Sequence, residues 1–158
     1  MGYTHYATFT LDRTCIERPE WNALCNEITA LNMERLGDIT ISDEFIQVRG
    51  SHEWIHLPRC NHDRTIFTKT RRAQDYDHII VACYMALHRC VRGVKLSSDG
   101  EYAELQAGRD HYKDTLGLTL VDLRKAFAKT IHDPRQKWFI GNPIYACDEH
   151  DKEEWFDF

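Results

Sequence analysis

The stretch from Tyr76 to Gly93, YDHIIVACYMALHRCVRG, holds the clearest periodic signal in the chain. Tyr76, Ile79, Ile80, Cys83, Leu87, Cys90 and Val91 recur at intervals of three and four, the spacing that stacks side chains on one stripe of an α-helix. Gly93 then provides the residue that most readily takes the left-handed conformation closing a helix. A helix from about Tyr76 to Val91 is therefore the anchor of the fold.

Upstream of it the period is two. Ile39-Ile41, Phe45-Val48, Trp54-Leu57 and Ile66-Phe67 are short β-rich runs separated by Asp43, Gly50-Ser51 and Pro58, the pattern of an antiparallel meander. Nearer the start, Thr4 to Leu11 reads as a strand. A helix follows in which Pro19 suits the first turn, and Trp21, Leu24, Cys25, Ile28, Leu31 and the stem of Arg35 share one side, with Gly37 as its C-terminal cap.

Downstream, Val94 to Leu96 forms a short strand, Ser97-Ser98-Asp99-Gly100 a turn, and Glu101 to Leu116 a helix that Gly108 disfavours. A last helix, Leu120 to Ile131, stops at Asp133-Pro134, and Trp138 to Phe158 shows no sustained period. The order of elements predicts an α+β fold, a mostly antiparallel sheet with helices packed on one face. It forms a single domain over 1–141, followed by an acidic, aromatic C-terminal tail over 142–158.

Composition agrees with one globular domain: 158 residues, 42% hydrophobic and 28% charged. No apolar run approaches the roughly 20 residues of a membrane span, and the first residues lack the basic, then apolar, start of a signal peptide. A cytoplasmic protein without membrane contact is expected. The six cysteines, at 15, 25, 60, 83, 90 and 147, include no Cys-x-x-Cys pair and fall in apolar patterns, as buried reduced thiols do. The net charge of −5 resides in the tail, where six acids stand against Lys152, so that residues 1–141 hold 19 acids and 19 bases. A neutral body argues against general nucleic-acid binding.

Nine histidines raise the question of a metal. His52 and His56 on one strand would stand about 13 Å apart, too far to share an ion. Cys60, His62 and His56 could converge, but a single close pair is weaker than the paired spacings of zinc sites. The tail run Asp148-Glu149-His150-Asp151 reads as solvated acids. Neither a metal nor another cofactor is expected, and the sequence lacks a Gly-x-Ser-x-Gly elbow, a P-loop and a Gly-x-Gly-x-x-Gly loop.

Three segments remain as candidate sites. Gly2-Tyr3-Thr4-His5-Tyr6 offers Tyr and His from a strand, or is simply an aromatic edge strand. From Arg59 to Arg72 five cations face one acid, Asp63, and Lys69 and Arg71 on one strand face would stand about 6.6 Å apart, a span that can grip phosphate. The competing reading is a charged edge that prevents strand aggregation. In the third, Ser98 or Asp99 can cap the next helix, whose free amides suit an anion.

The same segments carry a resemblance. Met1 to Tyr6, then Phe67, Lys69, Thr70, Arg72, Tyr76 and Asp77 before an apolar helix, and Ser97 to Gly100, resemble a family of small proteins from bacteriophages and their bacterial hosts that open with Met-Gly-Tyr-Thr-His-Tyr. The resemblance covers about residues 1–117. This chain reads Ala73-Gln74-Asp75 where the family has Lys-Pro and one residue fewer. The likeness implies a phage origin, residence in the bacterial host cytoplasm and a set of positions; it carries no activity.

Taken together, the expected ligand set is Tyr3, His5, Tyr6, Lys69, Arg71, Arg72, Tyr76, Asp77, Ser98 and Asp99. Cations, a helix start and aromatics suit a phosphorylated, nucleotide-like small molecule. The first expectation is an anti-defence accessory protein that sequesters such a molecule without transforming it. A phosphodiester-cleaving enzyme using His5 and Asp99 is the second. The third is an inhibitor that contacts a host defence protein through Trp155, Phe156 and Phe158 of the tail, the competing reading being that these aromatics fold back onto the body or form a homo-oligomer contact.

Overall fold

The computed structural model describes residues 2–9, 13–31, 38–49, 54–60, 65–71, 77–98 and 106–119. Their elements follow in the order β1 (Gly2–Phe9), α1 (Arg18–Leu31), β2 (Asp38–Ile41), β3 (Phe45–Arg49), β4 (Trp54–Pro58), β5 (Thr65–Arg71), α2 (Asp77–Cys90), β6 (Val94–Ser98) and α3 (Gln106–Leu116). The expected α+β class holds, and every strand pairing is antiparallel.

The strands form two sheets, ordered β5-β1-β6 and β2-β3-β4. The meander expected over 39–72 therefore ends at β4. The fourth run leaves it to pair along β1, from Gly2 opposite Arg71 to Thr8 opposite Thr65. Period two identifies a strand without naming its partner, and this is the point where local pattern stops.

In the meander, Ile46, Val48, Ile55 and Leu57 alternate inward, leaving Phe45, Gln47, Arg49, Trp54 and His56 on the other side. α1 buries Trp21, Leu24, Ile28 and Leu31, the expected stripe, each worth about 1.5–3 kcal/mol of apolar burial. Trp21 Nε1 donates to Ser42 O at 3.1 Å, which ties α1 to the β2–β3 turn.

α2 departs from the single stripe. All residues from Ile79 to Leu87 are buried, because the helix packs against α1, α3, β1 and β6. A helix enclosed on all sides needs no polar face. Gly93, with φ of 79°, ends the α2 region as expected.

Gly108, which weakens α3 by propensity, is what lets α3 approach α2. A Cβ at this position would fall 2.3 Å from Val81 Cβ. Polar bonds lock the three helices: Tyr112 Oη donates to Glu27 Oε2 at 2.8 Å, Arg89 lies 3.3 Å from Glu27 Oε1, and the His111 ring meets Leu31 O at 2.8 Å.

The cysteine expectation needs correction. Cys15 and Cys60 form a disulfide across an isolated antiparallel bridge. The bridge lies between the β1–α1 connection and the residues after β4, contacts that neither spacing nor hydropathy reveals. Cys83 is a buried thiol, while Cys25 and Cys90 are half-buried thiols. The expected helix at 120–131, the cap at Gly37, the stem of Arg35, Cys147 and the tail all lie outside the described residues.

Candidate functional site

The central position of β1 brings the three candidate segments onto one sheet. His5 lies opposite Thr68 on one side and Ser98 on the other, while Thr4 faces Lys69 and Tyr6 faces Phe67. Segments 60 and 90 residues apart in sequence are thus hydrogen-bonded neighbours.

Strand alternation then separates them by face. On the face toward α2, His5 and Ala7 are fully buried and Thr68 is 3% exposed. The His5 ring centroid lies 5.9 Å from that of Tyr84, whose hydroxyl is 2.8 Å from Thr68 Oγ1. Burial pushes the Tyr84 phenol up, and the Thr68 contact only partly offsets this. This is a polar patch within the core.

On the opposite face stand Tyr6, half-buried, Phe67, 64% exposed, and Lys69, exposed. Thr8 Oγ1 and Thr65 Oγ1, 3.3 Å apart, continue this face toward the other end of β1. Tyr6 and Phe67 are direct cross-strand neighbours, a position where side chains interact. Lys69 follows Phe67 at about 6.6–6.8 Å along the strand. Among the described residues Lys69 makes no ion pair. The arrangement offers an aromatic surface beside the Lys69 ammonium.

The expected set therefore divides. Tyr6 and Lys69 share the outer face, and His5 lies on the inner one without exposed surface, so these residues do not line one pocket. Arg71 is placed by backbone, opposite Gly2, and Tyr3 opposite Thr70. Ser98 is the last residue of β6, and the expected turn and helix start at 99–105 lie outside the described residues. Asp77 is the first residue of α2. Arg72, Tyr76 and Asp99 lie outside the described residues.

No group of three metal-ligating side chains converges among the described residues. The disulfide removes the Cys60 thiolate as a ligand from the combination with His62 and His56, of which His62 lies outside the described residues. No helix of the described residues is long and apolar enough to cross a membrane.

Sequence reading passed over one surface feature. Trp54, 51% exposed, His56 and Phe45 form a row on the outer side of the meander, with ring centroids 5.7 and 5.4 Å apart. Their alternation with Ile55, Leu57 and Ile46 was the available signal. Comparisons with protein-family models, with curated proteins and with solved structures find no match.

Proposed function

We propose that the protein binds a nucleotide-derived, phosphorylated small molecule on the outer face of β1 and β5 and sequesters it in the cytoplasm of a bacterial host, as a phage accessory protein acting against a host defence signal. The observation that supports this is the juxtaposition of Tyr6 and Phe67 with Lys69. A planar base stacks on exposed aromatic rings, and an ammonium recognises phosphate as a point charge. A phosphodiester-cleaving role for His5 with Asp99 gains no support from the enclosed position of His5.

Thermal unfolding against linear and cyclic nucleotides and adenosine diphosphate ribose derivatives tests the reading, with chromatography of each ligand afterwards. Ligand at 100 times its dissociation constant adds about 2.7 kcal/mol, a shift of roughly 5–11 °C for a chain of this size. A shift with intact ligand supports sequestration. A shift with altered ligand favours an enzyme, and no shift with any compound favours a protein target.

A further inference from the structure

Of the features outside the proposed site, the Cys15–Cys60 bridge carries the most chemistry. It joins two backbone segments that are held together independently of sulfur. Ile16 N donates to Arg59 O at 2.8 Å, and Arg59 Nε donates to Ile16 O at 3.1 Å. Cys60 is an exposed residue, while Cys15 is half-buried.

Thiol–disulfide exchange requires an attacking thiolate with access to one sulfur, and exposure makes a bridge labile. Cys60 meets that requirement. The described free cysteines do not compete. Burial pushes the Cys83 thiol up to about 12 and raises Cys25 and Cys90 as well, so few thiolates arise inside the fold to scramble the bridge.

We propose that Cys15–Cys60 is a site of reversible thiol–disulfide exchange with small-molecule thiols of the glutathione class, entered at Cys60. The incoming thiolate attacks Cys60 Sγ and breaks its bond to Cys15 Sγ, which leaves as a thiolate and takes up a proton. A second small thiolate then attacks the small-molecule sulfur of the mixed disulfide. Cys60 leaves as a thiolate, and the small-molecule disulfide carries away the oxidising equivalents. The protein gains two electrons and two protons. Because the Ile16–Arg59 bonds remain, the two thiols stay adjacent and the bridge reforms without refolding.

The full-length protein is equilibrated with glutathione mixtures from oxidising to reducing, quenched in acid, tagged with a maleimide and mapped by peptide mass. The expected result is one two-electron transition that tags Cys15 and Cys60 together, leaves Cys83 untagged in the native protein, and reverses on adding glutathione disulfide. Near-UV circular dichroism stays native throughout. A Cys15→Ser protein treated with glutathione disulfide gains a glutathione on Cys60. The proposal is overturned if oxidised protein shows no Cys15–Cys60 peptide, if excess reduced glutathione leaves the native bridge closed, or if reduction abolishes the native spectrum. It is equally overturned if the Cys15→Ser protein, kept native, gains no glutathione on Cys60.

Discussion

Thr68 on β5 and Tyr84 on α2 face each other through hydroxyls 2.8 Å apart, a buried contact that fastens the strand carrying Lys69 to the central helix. Thr68 Oγ1 also donates to Trp54 O at 3.4 Å, so the same side chain reaches β4 of the second sheet. Removing the Tyr84 hydroxyl takes one hydrogen bond from Thr68, which keeps its bond to Trp54 O, at about 0.5–1.5 kcal/mol. Tyr84→Phe is expected to lower the melting temperature by roughly 1–6 °C while keeping native circular dichroism. An unchanged melting temperature contradicts this role.

Close approach of α3 to α2 depends on Gly108. Gly108→Ala places a methyl 2.3 Å from Val81 Cβ, and the helices must separate to admit it. The expected destabilisation is about 1–3 kcal/mol, as for other overpacked interiors, despite alanine's better helix propensity. Chemical denaturation measures it, and a stabilised variant would show that the two helices are not this close.

Acid should weaken the fold in two stages. His88 is mostly buried, and desolvation holds its imidazole below the usual 6.5, although its Nδ1–H donates to Val94 O. Burial alone would raise the Glu20 carboxyl. Arg13, with the amides of Arg92 and Glu17, instead keeps it below 4.5. Both groups bind protons more readily when unfolded, so their contribution is complete above the unfolded values and is lost as pH falls through the folded ones. Urea midpoints should decline from about 6.5 downward and again below about 4.5. His88→Gln should flatten the upper step, and midpoints that rise on acidification contradict the assignment.

The disulfide closes a loop across a separation of 45 residues. By the chain-entropy relation it contributes about 4 kcal/mol. Reduction should therefore lower the melting temperature by about 8–16 °C and leave a folded protein at room temperature. Equal melting curves with and without reductant would mean that the bridge constrains nothing.

Periodicity made much of the fold legible. The α1 stripe of Trp21, Leu24, Ile28 and Leu31, the two-residue rhythm of β3 and β4, and the stop at Gly93 are local signals that survive in the structure. What the pattern lacked was partner choice. Nothing in Thr65–Arg71 distinguishes a fourth meander strand from a neighbour of β1, and nothing local pairs Cys15 with Cys60. For the site, the strand assignments placed Lys69 and Tyr6 correctly on strands, and β1 does bring the segments together. The division of His5 from Lys69 follows from one-residue alternation across paired strands, which becomes visible only once the register is known.

The most direct test of the ligand face compares nucleotide affinity in the native protein with that of Lys69→Ala and Phe67→Ser, using Trp54→Ser on the other sheet as control. Isothermal titration with the compound that gives the largest thermal shift should show at least a roughly tenfold loss for each of the first two, which corresponds to about 1.4 kcal/mol. Their melting temperatures without ligand should be unchanged, because both side chains are exposed. The control should bind as the native protein does. Native affinity in Lys69→Ala and Phe67→Ser, or loss confined to Trp54→Ser, would contradict a ligand site on β1 and β5.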